Sequence, residues 1–200
     1  MCNSFEISLQ TFIMSGISSV LLWTKKEYFA SIFLFVVSLM QLSDALIWKN
    51  YNNPKINTLI SKYSIPFILS IQMISLYVCY TKLTSTRELW YEVLLSIFII
   101  VLYSAWITRC QQPTKIDVTS FFIWCDLVIE HWTRFIYLFF ILYPIWKVYK
   151  NNNPIKWILI CGVTLTFVLN YWEYSFGARW CHTSNILALI LVTYVFFLRR

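Results

Sequence analysis

Four carboxylates stand within or beside runs that are otherwise apolar: Asp44, Asp126, Glu130 and Glu173. An ionised group surrounded by hydrocarbon is costly, so it persists where it pairs, lines a water-filled path or exchanges a proton. Gln41 precedes Asp44 by about one helical turn with apolar residues on either side, which points to a buried functional or helix-pairing role for Asp44. Asp126, Glu130 and Arg134 fall at i, i+4 and i+8, one face if the segment is helical, with Glu130 ahead of Arg134 in the favourable order for an ion pair. Thr133 and Tyr137 extend that stripe. The ladder reads either as a cavity wall or proton relay, or as a helix end whose charges are solvated among headgroups. Glu173 lies beside Arg179 and Trp180-Cys181-His182, where snorkelling to the interface accounts for it. Gln72 is in mid-run, where an amide is expected to hydrogen-bond a neighbouring helix.

Other chemistries fare poorly. A metal-dependent hydrolase uses about three nitrogen or sulfur ligands, and His131 and His182 are the two histidines, with neither HxxxH nor HExxH spacing. The six cysteines (Cys2, Cys79, Cys110, Cys125, Cys161, Cys181) form no CxxC, so neither a metal site nor a cofactor is expected. The last apolar run lacks the lysine of a retinal protein, and the chain lacks the acidic-Arg-Tyr and NPxxY motifs of G-protein-coupled receptors. No catalytic residue is assigned, although an intramembrane lipid enzyme built on paired carboxylates stays open as a third reading.

The elements that must position these residues are membrane helices. Hydrophobic residues make up 59% of the 200-residue chain and charged ones 12%, too apolar for a water-facing surface. Runs such as Val93 to Tyr103 are apolar on every side, which excludes the alternation of a transmembrane barrel. Seven spans are read: Ile7 to Trp23, Tyr28 to Trp48, Leu59 to Tyr80, Leu89 to Ile107, Trp124 to Trp146, Trp157 to Trp172, and Thr183 to Leu198. The expectation is an all-α integral membrane bundle whose short connections make neighbours antiparallel. Trp23, Trp48, Trp90, Trp106, Trp146, Trp157, Trp172 and Trp180 fall at or beside span ends, where indoles favour the headgroup level. No cleavable leader pattern precedes the first run, so it is read as a retained span.

Despite the net charge of +7, basic residues are dispersed through short loops, which argues for a lipid partner and against nucleic acid. Lys25, Lys26, Lys82, Arg87, Lys147, Lys150, Lys156, Arg199 and Arg200 fall on one side, against Lys49, Lys55, Lys62, Arg109, Lys115 and Arg179 on the other. That bias places the N-terminus outside and the C-terminus in the cytoplasm. Cys110, Cys125 and Cys181 then lie at or near the outer side, where either a disulfide or free thiols fit. The fifth span has a clean apolar part of only Phe135 to Trp146, and a non-helical 117–133 segment would reduce the crossings to six.

Sliding the chain on itself by 124 places Lys26 on Lys150 and Trp48 on Trp172, and by 118 places Ile68-Leu69 on Ile186-Leu187. Such a repeat fits two parallel three-helix units joined by one inverting helix. Ile65-Pro66-Phe67-Ile68-Leu69-Ser70-Ile71-Gln72 followed by Leu76-Tyr77 resembles the third helix of PQ-loop and SWEET transporters. Thr183-Ser184-Asn185-Ile186-Leu187 is similar to the seventh, and Tyr143-Pro144-Ile145-Trp146-Lys147 to the PQ-loop helix end, with Ile145 in place of the glutamine and no proline in the first helix. The resemblance implies a solute path faced by Asn185 and Pro66, with Pro144 as a hinge. Gln41-Leu42-Ser43-Asp44-Ala45-Leu46-Ile47-Trp48, with Gly177-Ala178-Arg179-Trp180-Cys181, also resembles multi-span proteins of large nucleocytoplasmic DNA viruses. That implies a host or virion membrane and interaction partners without a defined activity. The leading expectation is a small-solute transporter or solute-binding bundle.

Overall fold

A computed structural model of the chain describes residues 4–116, 122–123, 131–170 and 176–199, with side chains described over 4–115, 133–169 and 185–199. The described residues form seven α-helices: α1 (Phe5–Thr24), α2 (Tyr28–Lys49), α3 (Pro54–Thr84), α4 (Leu89–Arg109), α5 (His131–Val148), α6 (Pro154–Asn170) and α7 (Phe176–Thr193), the last running into a π-helical segment Tyr194–Leu198. Local chemistry sets several starts. Ser4 accepts the Ile7 N–H and Asn53 the Ile56 N–H, while Pro54 occupies the first position of α3. Asn153 repeats the device before Pro154, accepting the Ile155 N–H at 3.0 Å.

The bounds of α1, α2 and α4 follow the hydropathy reading within two residues. α3 is longer than the expected Leu59 to Tyr80, because the Asn53-Pro54 cap starts it early and it continues to a left-handed Ser85 (φ 54°). Ahead of α5 lies an unexpected element, a short antiparallel pairing of β1 (Lys115–Ile116) with β2 (Phe122–Ile123). α5 is described from His131, and the stretch from its expected start at Trp124 to Glu130 lies outside the described residues. Asp126, Glu130 and Glu173 lie outside the described residues, as does the side chain of His182.

α1–α4 are each long and apolar enough to cross a bilayer, and α6 and α7 carry shorter apolar stretches. α1 shows why lipid is the fitting solvent. It buries Ser8, Ser15, Ser19 and Leu22, and turns Met14, Ile17 and Val20 (65% exposed) outward. A water-soluble amphipathic helix does the reverse. Small polar residues inside let membrane helices approach closely and hydrogen-bond, and Ser19 and Ser31 exchange hydroxyl-to-carbonyl bonds of 2.8 Å between α1 and α2. α4 likewise exposes Val93, Leu94, Ile97 and Ile100, an apolar stripe that faces outward among the described residues.

Contacts far apart in sequence fix the helix directions. Ser19 meets Ser31, Gln72 meets the Val36 carbonyl, Trp106 meets the Ser61 carbonyl, Tyr91 meets Phe140, and Trp146 meets Trp157, so consecutive helices from α1 to α6 run antiparallel. Ser15 with Asn185 and Lys25 with Phe196 make α1 and α7 parallel, and Gln72 with Tyr137 and Tyr80 with Tyr143 do the same for α3 and α5. The packing pairs α1–α2, α2–α3, α3–α5, α5–α6, α6–α7 and α7–α1 close a ring, with α2 also touching α7 and α4 lying outside against α3.

The bundle has two distinct ends. One carries the turn at Lys25-Lys26-Glu27, Arg87, Lys147, Lys150 and Arg199, and is called the basic end below; there Arg199 pairs with Glu27. At the other, Thr114 is clamped onto α3: its N–H donates to Asn57 Oδ1 at 2.9 Å and its hydroxyl lies 2.6 Å from that of Ser61. Cys110, at this end, is buried and disulfide-bonded, whereas Cys79 and Cys161 are free thiols.

Candidate functional site

Five helices of the ring carry buried or half-buried polar side chains within their apolar stretches. Gln41 and Asp44, one turn apart on α2, are both fully buried, as is Gln72 on α3. On α5, Arg134 is 2% exposed, and Tyr137 lies three residues further on, on the same helix face. Asn185 of α7 is half-buried and Ser15 of α1 buried. Charges and amides collect here because lipid offers them no partner and the ring interior does.

Two links in this core are explicit. Gln72 Nε2 donates to the Val36 carbonyl at 3.1 Å, and the Tyr137 hydroxyl donates to Gln72 Oε1, so one amide joins α2, α3 and α5. Ser15 Oγ donates to Asn185 Oδ1 at 2.9 Å, joining α1 to α7. Gln41, Asp44 and Arg134 are each engaged by further partners. Counting along the helices from the Gln72 node, Arg134 lies about 4.5 Å and Gln41 about 7.5 Å toward the Cys110 end, from the 1.5 Å rise per residue. The polar core is thus weighted toward that half of the bundle. The pairing expected of Gln72 is present, and Arg134 is buried. The ladder it was expected to form with Asp126 and Glu130 lies beyond the described residues.

Gln72→Leu removes both bonds of the node. An interhelical hydrogen bond in a membrane bundle contributes about 1 kcal/mol, so a loss of about 1–2 kcal/mol for the two is expected in reversible detergent-denaturant unfolding. The Gln72→Leu/Tyr137→Phe pair should cost little more than the single change, since both ends of one bond are then gone.

A second polar cluster, at the basic end, was not anticipated. Glu88, just ahead of α4, is met at Oε1 by the Tyr80 hydroxyl (3.0 Å) and Lys147 Nζ (3.1 Å), and at Oε2 by the Tyr143 hydroxyl. Tyr77 joins the same turn, donating to Glu92 Oε1 at 3.1 Å and accepting the Glu88 N–H at 3.1 Å. Arg87 holds Glu92 with two bonds of 2.7 and 2.8 Å. Burial alone would push the Glu88 carboxyl up, but the bonds from Tyr143, Lys147 and Tyr80 outweigh it and hold the carboxyl below its ordinary range. One carboxylate thereby ties α3, α4 and α5 together. The available signal was four tyrosines, Tyr77, Tyr80, Tyr91 and Tyr143, at the same end of three successive helices.

Tyr91 explains how α5 tolerates its internal proline. Pro144 has no N–H to give the Phe140 carbonyl four residues back. The fully buried Tyr91 hydroxyl donates to that carbonyl at 2.9 Å. Its ring stacks between Tyr77 and Tyr143, with centroids 4.7 and 4.8 Å away. A neighbouring helix thus replaces the missing backbone donor, as a water-free interior requires.

Among the described residues, no group of three or more His, Cys, Asp and Glu side chains is placed to hold a metal ion. No protein family, curated protein or solved structure matches the chain.

Proposed function

We propose that the chain is a multi-pass membrane protein that carries or binds a small solute, on a plan of two three-helix units joined by α4. One observation carries the reading: the six packing pairs of the ring map onto themselves when α1, α2 and α3 are exchanged with α5, α6 and α7, the added α2–α7 contact aside, and helices of both units carry buried polar groups. Each unit meets the other through a parallel seam, α3 with α5 and α7 with α1. That is the relation expected of parallel repeats, whose substrate sites lie near the bilayer midplane between the units. The resemblance of the Pro66 and Asn185 segments to PQ-loop and SWEET carriers agrees with this plan.

In this reading Asp44, Gln41 and Asn185 present acceptors and amide donors to a polar, uncharged or cationic solute, and Arg134 balances the charge of Asp44. The Gln72–Tyr137 node closes the path toward the basic end, and the Glu88 cluster pins the α3–α5 seam there. Opening toward that end requires both to part, with Pro66 in α3 and Pro144 in α5 supplying bending points on the two sides of one seam. The disulfide at Cys110 fits an oxidising compartment at the opposite end, which agrees with the positive-inside reading of the basic end.

The test is uptake by full-length protein reconstituted in vesicles, across panels of labelled sugars, neutral amino acids and organic cations. Uptake of at least one class is expected. Asp44→Asn should lower it roughly tenfold per folded molecule, the effect of about 1.4 kcal/mol in binding, alongside a drop in the unfolding midpoint because the buried Arg134 loses its balancing charge. An absence of flux and of saturable binding for every class would overturn the proposal and leave the polar core as helix-pairing glue.

A further inference from the structure

A lipid-facing groove of about 580 Å³ runs between α2 and α3. Its wall is apolar along its length, and its polar mouth is at the basic end, where Trp23, Tyr28 and Lys82 stand together. Trp23 and Tyr28 meet edge to face at 4.8 Å, an amphipathic pair of the kind that settles at headgroup level. Lys82 is exposed, and among the described residues no carboxylate pairs with it. At the far end the lining stops at Leu39 on α2 and Ile71 on α3.

Both walls therefore run twelve residues, Tyr28 to Leu39 and Ile71 to Lys82, whose eleven steps make about 16 Å of helix. That is close to half of the about 30 Å hydrocarbon core, the depth of one leaflet. We propose that this groove is a binding site for an anionic phospholipid of the leaflet at the basic end, with an acyl chain along α2 and α3 and its headgroup on Lys82. Length and charge both select this occupant. A solute would find almost no polar surface in the groove, and a partner helix would need cover beyond mid-bilayer. A zwitterionic lipid would fit the apolar wall but leave the lysine charge unmatched, whereas a lysine near an anionic surface adds attraction.

Native mass spectrometry of the full chain, released from bilayers of equal phosphatidylserine and phosphatidylcholine, reads the site directly. Retained phosphatidylserine should exceed phosphatidylcholine by roughly fivefold, the preference one interfacial lysine provides. Lys82→Gln should bring the ratio to about one, and Lys49→Gln at the opposite end should leave it unchanged. Ile74, 42% exposed on the groove wall, offers a second variant: Ile74→Trp fills the groove and should remove retained lipid of both kinds. Equal retention of the two lipids by the unaltered chain would overturn the site. So would equal loss in the Lys82 and Lys49 variants, or full retention by Ile74→Trp.

Discussion

Tyr91→Phe should destabilise the bundle by about 2 kcal/mol, because it leaves a buried carbonyl without a donor while keeping the ring that packs there. The tyrosine hydroxyl lies 2.9 Å from the Phe140 carbonyl, the group deprived of its helical partner by Pro144. Phenylalanine retains the stacking on Tyr77 and Tyr143, so the change isolates one oxygen. The decisive variant is the partner. Pro144→Ala restores a backbone N–H to the Phe140 carbonyl, and in that background Tyr91→Phe should cost well under half as much. Additive losses in a double-mutant cycle, read from reversible unfolding in mixed micelles, would show that the hydroxyl does not stand in for the missing amide.

Glu88→Ala should cost about 3 kcal/mol. Two tyrosine hydroxyls donate to this carboxylate, and hydrogen bonds to a charged group contribute about 1.5 kcal/mol or more each. The Lys147 pair adds little beyond that, since its side chain is 42% exposed and solvent screens it. The pH dependence has a definite sign. The folded carboxyl titrates below its unfolded value, so its contribution is fully present above the ordinary glutamate pKa of about 4.3. It is lost as pH falls through the lower folded value. An acid-side fall in unfolding midpoint that Glu88→Gln flattens is the expected result. A Glu88→Gln profile as steep as the parent's would assign the acid sensitivity elsewhere.

How much of this was legible in the sequence differs from helix to helix. Hydropathy located α1, α2 and α4 nearly to the residue, since a run of apolar residues closed by Lys, Asn or Pro leaves little freedom for a membrane helix. Gln72 was legible as well, because an amide in mid-span must find a partner and only another helix can supply one. The buried serine stripe of α1 was not. Serine is nearly neutral on a hydropathy scale, so Ser8, Ser15 and Ser19 disappear into the average although their spacing marks one face. α3 overran its expected ends because capping at Asn53 and the register of Tyr80 depend on local hydrogen bonds that an apolar-run criterion ignores.

The basic-end cluster was missed for a related reason. Glu88 and Lys147 stand in what hydropathy reads as loops, 59 positions apart, and each looks like a solvated headgroup charge when taken alone. Only the parallel seam of α3 and α5, with α4 laid against it, brings Tyr80, Glu88 and Tyr143 to one point. The β1–β2 pairing carries no sequence signal at all, since two-residue strands are below the length at which alternation registers.

In the proposed threading, alternate connections lie on opposite sides of the bilayer. Single cysteines replacing Asn53 and Asn152, probed with a membrane-impermeant thiol reagent on sealed right-side-out vesicles, test it most directly. Labelling is expected at position 53 in intact vesicles and at position 152 only after permeabilisation. Labelling of both before permeabilisation, or of both only after it, would place the two connections on the same side and contradict the seven-helix threading.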